Sequence, residues 1–118
     1  MKTFNRAAAQ GEVRAFRLDE MPTDVAMERL PLENGQLILG HSETGHHHVM
    51  DPTKVEAYRV TEGVPEGMTV LNIIVKEPTS LDHLRAYNTH ESVMFEAGTY
   101  RITTDREYTP EGYRRVAD

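Results

Sequence analysis

Turn signals punctuate this chain about every ten residues, and the segments between them are short and rich in β-branched side chains. Asn34-Gly35, Asp51-Pro52, Glu62 to Gly67, Glu77-Pro78 and Glu96-Ala97-Gly98 are the clearest interruptions. Asn-Gly is the strongest of them, because both central residues of a tight hairpin turn need positive φ. Between the turns, residues 12–18, 36–39, 46–50, 55–60, 68–75, 92–95 and 99–108 read as strands. The run MTVLNIIV at 68–75 is the most apolar and is expected as the central buried strand. Along 99–108, Tyr100, Ile102 and Thr104 share one face and Thr99, Arg101 and Thr103 the other. Residues 80–87, SLDHLRAY, fit a turn of helix or a strand equally well. About seven short strands so spaced predict an all-β fold, a single-domain sandwich or small barrel. Residues 1–10 lack a period and are expected as an N-terminal arm ahead of one β domain over 11–118.

Composition narrows the function classes. The chain has 118 residues, enough for one domain with a real core. Thirteen Lys and Arg against nineteen Asp and Glu give a formal charge of −6, which argues against a general binder of nucleic-acid backbones. There is no cysteine, so disulfide frameworks and thiolate metal sites are excluded. No apolar run suits a membrane-spanning helix, and MKTFNRAAAQGEVRAF lacks the apolar core of a secretory signal. A location neither secreted nor in a membrane is therefore expected. No Gly-x-Ser-x-Gly elbow and no glycine-rich phosphate loop occurs, and no catalytic residue is assigned.

The densest chemistry lies in His41-Ser42-Glu43-Thr44-Gly45-His46-His47-His48, which holds four of the six histidines. On a strand, His46 and His48 point to one side and His47 to the other. Two imidazoles at i and i+2 can grip a divalent first-row metal, here Zn, Mn, Fe, Ni or Cu. His41, His90 and Glu91 are the candidates to complete such a shell. Solvated, packing or interface roles for the same histidines stay open, and His83 is expected to be structural.

Gly40, His46 and His48 are spaced as in the opening of the first cupin motif. Pro52 and Thr53 stand where the cupin glutamate would follow, and Tyr100 and Arg101 where the later histidine would. Over residues 40–118, Gly45-His46-His47-His48-Val49, His90-Glu91, Ala97-Gly98-Thr99-Tyr100-Arg101-Ile102, Arg106-Glu107-Tyr108 and Arg114-Arg115 resemble a family of small uncharacterised proteins of bacterial and phage genomes. Ser92-Val93-Met94 departs from that pattern. The resemblance implies relatedness and no assigned activity.

Two functions are expected from this reading. The first is a non-enzymatic structural or binding module, such as a capsid decoration or cement protein of a phage virion. Other protein chains would be its partners, in a homo-oligomer or capsid-like assembly, with no nucleic acid or membrane. Phe4, Arg6, Tyr100, Arg101, Tyr108 and Arg114 would make the contacts, since Tyr and Arg are enriched at interface hot spots. The second is a cupin-like metal-dependent enzyme with His46 and His48 as ligands.

Overall fold

A computed structural model describes residues 2–3, 7–10, 13–41, 47–84 and 90–104, with the backbone alone for 2–3 and 90–91. Phe4, Arg6, His46, Tyr108 and Arg114 lie outside the described residues. The rest is all-β. In chain order the strands are β1 (Lys2–Thr3), β2 (Ala7–Gln10), β3 (Val13–Leu18), β4 (Met27–Arg29), β5 (Leu37–Gly40), β6 (His48–Met50), β7 (Val55–Val60), β8 (Thr69–Val75), β9 (Thr79–Leu84), β10 (His90–Phe95) and β11 (Gly98–Thr104). They form two sheets: sheet A in the order β1-β10-β9-β6-β5 and sheet B in the order β2-β3-β11-β8-β7-β4. Every pairing is antiparallel except β1 beside β10.

The chain alternates between the sheets by hairpins: β5–β6 in A, β7–β8 in B, β9–β10 in A. Each sheet therefore offers an apolar inner face to the other, which is the sandwich solution for strands with one apolar side. Sheet B contributes Val13, Ala15, Leu71, Ile73 and Ile102, and sheet A contributes Leu37, Leu39, Leu81, Val93 and Phe95, all buried in one core cluster. As expected, β8 is central, flanked by β11 and β7. The eleven strands among the described residues exceed the expected seven by β1, β2, β4 and β9. The first three are short and show no period, and β9 makes residues 80–84 a strand, while 85–87 of the ambiguous segment lie outside the described residues. The expected arm includes β1 and β2, which pair with β10 of sheet A and β3 of sheet B.

The turn chemistry holds where it can be checked. Asn34 and Gly35 both have positive φ, 52° and 78°, and Glu33 and Gln36 exchange both backbone hydrogen bonds across them. The hairpin stops at that rung. Pro31 lacks a donor for a second one, and β4 pairs with β7 in the other sheet. At Asp51-Pro52, the Asp51 carboxylate accepts from the Thr53 hydroxyl at 2.7 Å and the Thr53 amide at 2.9 Å. Those bonds, the hydroxyl first, hold its carboxyl below the usual range.

Tyr100 corrects one expectation. Expected beside Arg101 as a contact residue, it is instead 0% exposed. Adjacent residues of a strand face opposite sides, so Tyr100 enters the core while Arg101 stays exposed. The Tyr100 ring meets Phe95 of the other sheet edge-on at 4.8 Å, its hydroxyl donates to the Glu96 carbonyl at 2.6 Å, and the Arg17 guanidinium lies over it. A tyrosine bonded to a backbone carbonyl four residues upstream is a corner device known from other sandwiches.

Burial pushes the Tyr100 phenol above its ordinary value, with nearby Arg17 opposing the shift. A raised folded value means that this group's stabilisation is intact below about pH 10 and is lost as pH rises through the folded value. Tyr100→Phe is expected to cost about 1 kcal/mol at neutral pH through the lost hydrogen bond. It should also flatten the alkaline decline. Urea unfolding of both proteins from neutral to strongly alkaline pH would check both effects.

Candidate functional site

Among the described residues, five histidines belong to one end of sheet A. His41 follows the end of β5, His47 leads into His48 at the start of β6, His83 is near the end of β9, and His90 starts β10. Two of them, His83 and His90, are remote in sequence from the other three and arrive through the β9–β10 hairpin. The register is specific. His48 is paired with His83, and His83 with Glu91, so three residues of metal-ligating type occupy one cross-strand row over β6, β9 and β10. In the next row His90 is paired with Leu84, whose amide donates to the His47 carbonyl at 3.0 Å.

His48 is the best-defined member. It is 6% exposed, and its ring stacks on that of His83 with centroids 4.1 Å apart and planes 15° from parallel. Its Nδ1 lies 2.8 Å from Oε1 of Gln10, which reaches across from β2 of sheet B. The Gln10 amide nitrogen donates to the Leu81 carbonyl at 3.0 Å. A carbonyl can only accept, so the orientation of the Gln10 amide is fixed, and its oxygen faces His48. Nδ1 of His48 must then donate, and the neutral ring keeps its lone pair on Nε2. A partner that fixes the tautomer in this way is what orients a metal-ligating or proton-accepting imidazole. Gly40 makes room for the ring: a Cβ there would lie 2.7 Å from Cγ2 of Val13 and 3.3 Å from Cδ2 of His48.

His41 is held differently. Its Nε2–H donates to the Glu33 carboxylate at 2.6 Å, and its ring lies edge-on to His47 at 5.3 Å. The expected set of His46, His48, His41, His90 and Glu91 is thus divided. His48 stacks on His83, His41 lies against His47, and the side chains of His46, His90 and Glu91 lie outside the described residues. Among the described residues no three His, Cys, Asp or Glu side chains are grouped to hold a metal. Sequence reasoning missed His83 as a member and did not consider Gln10. The signal for His83 was the hairpin spacing between Leu81-Asp82-His83 and His90-Glu91, legible once residues 80–87 are read as a strand. Gln10 gave none.

On sheet B the expected contact residue Arg101 is exposed on the outer face, next to Phe16 of β3. Phe16 is 41% exposed. Asp82 and Ser92 share a register position on sheet A, and the Ser92 hydroxyl donates to Asp82 at 2.6 Å.

Gln10→Ala removes both ends of the inter-sheet bridge and strands two buried groups. It is expected to destabilise by about 2–4 kcal/mol. Gly40→Ala should cost about 1–3 kcal/mol by forcing Val13 or His48 aside. Chemical denaturation of the two variants against the parent gives both values.

No curated protein and no solved structure matches the chain. Residues 9–105, from β2 to just past β11, match the sequence profile of a family described as a domain of unknown function, DUF8820. The match covers most of the chain and nearly all of both sheets, including the histidine end of sheet A, and the protein is a member of that family.

Proposed function

We propose that the protein is a non-enzymatic structural or binding module whose histidine end takes up one divalent transition metal. The observation that carries this is the gathering of the five described histidines at one end of sheet A, with the tautomer of His48 fixed by Gln10. Imidazole donors without thiolates suit Zn, Ni, Cu, Fe or Mn. His48 and His83 are the described donors, and His46, His90 and Glu91 are the residues nearest to them in sequence or register. A metal bound there would tie β6 to β9 and β10, which stiffens the sheet end where the β5–β6 and β9–β10 hairpins turn back. That favours a structural role. The resemblance to proteins of bacterial and phage genomes fits a virion accessory subunit, with other protein chains as its partners.

The lone pair on Nε2 of His48 also supports the second reading, a cupin-like enzyme in which a metal with an open position activates water or oxygen. The two readings differ in coordination. A structural site is closed by protein donors, and a catalytic one keeps a place for solvent.

The tag-free protein, stripped with chelator and reloaded with Zn²⁺, Ni²⁺ or Co²⁺, should hold about one metal per chain by mass spectrometry. Binding to the folded state alone adds about 2.7 kcal/mol at a metal concentration one hundred times the Kd, so the melting temperature should rise. His48→Ala with His83→Ala should abolish uptake. No uptake and no shift with any of the three ions overturns the metal. The Co²⁺ spectrum then separates a closed four-coordinate site from one that exchanges solvent or added azide.

A further inference from the structure

The outer face of sheet B carries a second feature, independent of the histidines. Successive pairings set Arg29 of β4 beside Tyr58 of β7, Tyr58 beside Asn72 of β8, Asn72 beside Arg101 of β11, and Arg101 beside Phe16 of β3. Tyr58, Asn72, Arg101 and Phe16 lie on the face opposite the core, because their chain neighbours Ala57, Ile73, Ile102 and Ala15 point inward and are buried, and Arg29 lies there by its pairing with Tyr58. The row therefore crosses five adjacent strands.

Three properties set it apart. First, its charge opposes that of the molecule. The chain carries −6, yet Arg29 and Arg101 are both exposed and have no carboxylate partner among the described residues. Arg59, by contrast, is paired with Glu28, and Arg17 donates to the Ala97 carbonyl. Second, the row is aromatic as well as cationic. Phe16 is 41% exposed, and the Arg29 guanidinium stands 5.5 Å over the Tyr58 ring. Third, Asn72 at the middle is 1% exposed, and its Oδ1 is buried without a hydrogen-bond partner. Its Nδ2 has only the Met27 sulfur at 3.2 Å, a weak acceptor on a flexible side chain. A leucine would fill this position without that cost, so a stranded acceptor there fits a face that receives a donor from outside.

We propose that this row, Arg29–Tyr58–Asn72–Arg101–Phe16, docks an acidic, extended peptide segment of a partner protein, lying across the strands. Strands are spaced about 4.8 Å apart, so Arg29 and Arg101 stand about 14 Å from one another. An extended chain advances about 3.3 Å per residue, which places two carboxylates four residues apart over the two arginines. Phe16, one strand further on, takes an apolar side chain one or two residues beyond the second carboxylate. With the Met27 side chain displaced, a peptide amide between the two acids donates to Oδ1 of Asn72. A nucleic acid fits less well, because the surrounding negative charge repels a continuous phosphate backbone while two discrete arginines match two discrete carboxylates.

The probe is a fluorescein-labelled nonapeptide with Glu at its first and fifth positions and Leu at its seventh, titrated with the full chain by fluorescence polarisation. Saturable binding is expected, at least tenfold weaker for a peptide with Lys in place of both Glu, and weakened by added salt. Arg29→Ala, Arg101→Ala and Phe16→Ala, each at an exposed site that leaves the melting temperature unchanged, should weaken it by about tenfold each. Asn72→Leu should weaken it while holding or raising the melting temperature, an outcome that a merely structural asparagine would not give. The proposal is overturned if the peptide does not saturate or if the arginine variants bind as the parent does. It is equally overturned if oligo(dT) displaces the peptide at lower concentration, or if light scattering shows a dimer of this chain that Phe16→Asp dissolves.

Discussion

The two sheets are joined by one carboxamide at the end where the histidines gather. Gln10 comes from the edge of sheet B and spends its amide N–H on the Leu81 carbonyl and its oxygen on His48, both in sheet A. Apolar packing between sheets is non-directional and tolerates sliding, whereas a buried amide with both ends committed does not. Gln10 is only 3% exposed, so leaving either end unmet would cost more than the bond is worth. The bridge therefore fixes the register of one sheet on the other and the tautomer of His48 at the same time. At the opposite end of the sandwich, Tyr100 plays the corresponding part, with its ring between the sheets and its hydroxyl on the Glu96 carbonyl. Between these two pinned ends the core is aliphatic and needs no direction of its own.

Much of this was legible in the sequence, and the failures have physical causes. The run at 68–75 announced a strand buried on its inner face and flanked on both edges, and the Asn34-Gly35 pair announced its turn, because backbone sterics act locally. β1, β2 and β4 have two to four residues and no period to read, whereas the equally short β5 and β6 stand beside the Asn34-Gly35 and Asp51-Pro52 turns that mark them. Residues 80–87 carry side chains that suit either regular structure, and only pairing with β6 and β10 on its two sides makes β9 a strand. Tyr100 and Arg101 show a finer limit. Their composition suggests a contact surface, but parity divides them, and one faces Phe95 while the other faces solvent.

The candidate site was half legible for the same reason. The cluster at 41–48 is a local signal, readable from composition alone. The addition of His83 and the row with Glu91 is a matter of strand register, which composition does not encode. The outer face of sheet B escaped notice because its five members come from five strands and are scattered from residue 16 to residue 101. Sites assembled across a sheet are diluted along the chain in proportion to the connections between the strands.

The first strands have a consequence for how the molecule is made. Lys2 and Thr3 pair with Val93 and Met94, while Ala7 to Gln10 pair with the strand that follows them directly. During synthesis β2 can form its hairpin with β3 almost at once. β1 has no partner until residues 93 and 94 have left the ribosome, and its pairing closes one of the longest loops in the fold. The edge of sheet A beside β10 is thus the last part of the ladder to be sealed. A nascent chain therefore carries β1 unpaired through most of its translation, and in that interval β1 is exposed to mispairing with a neighbouring chain.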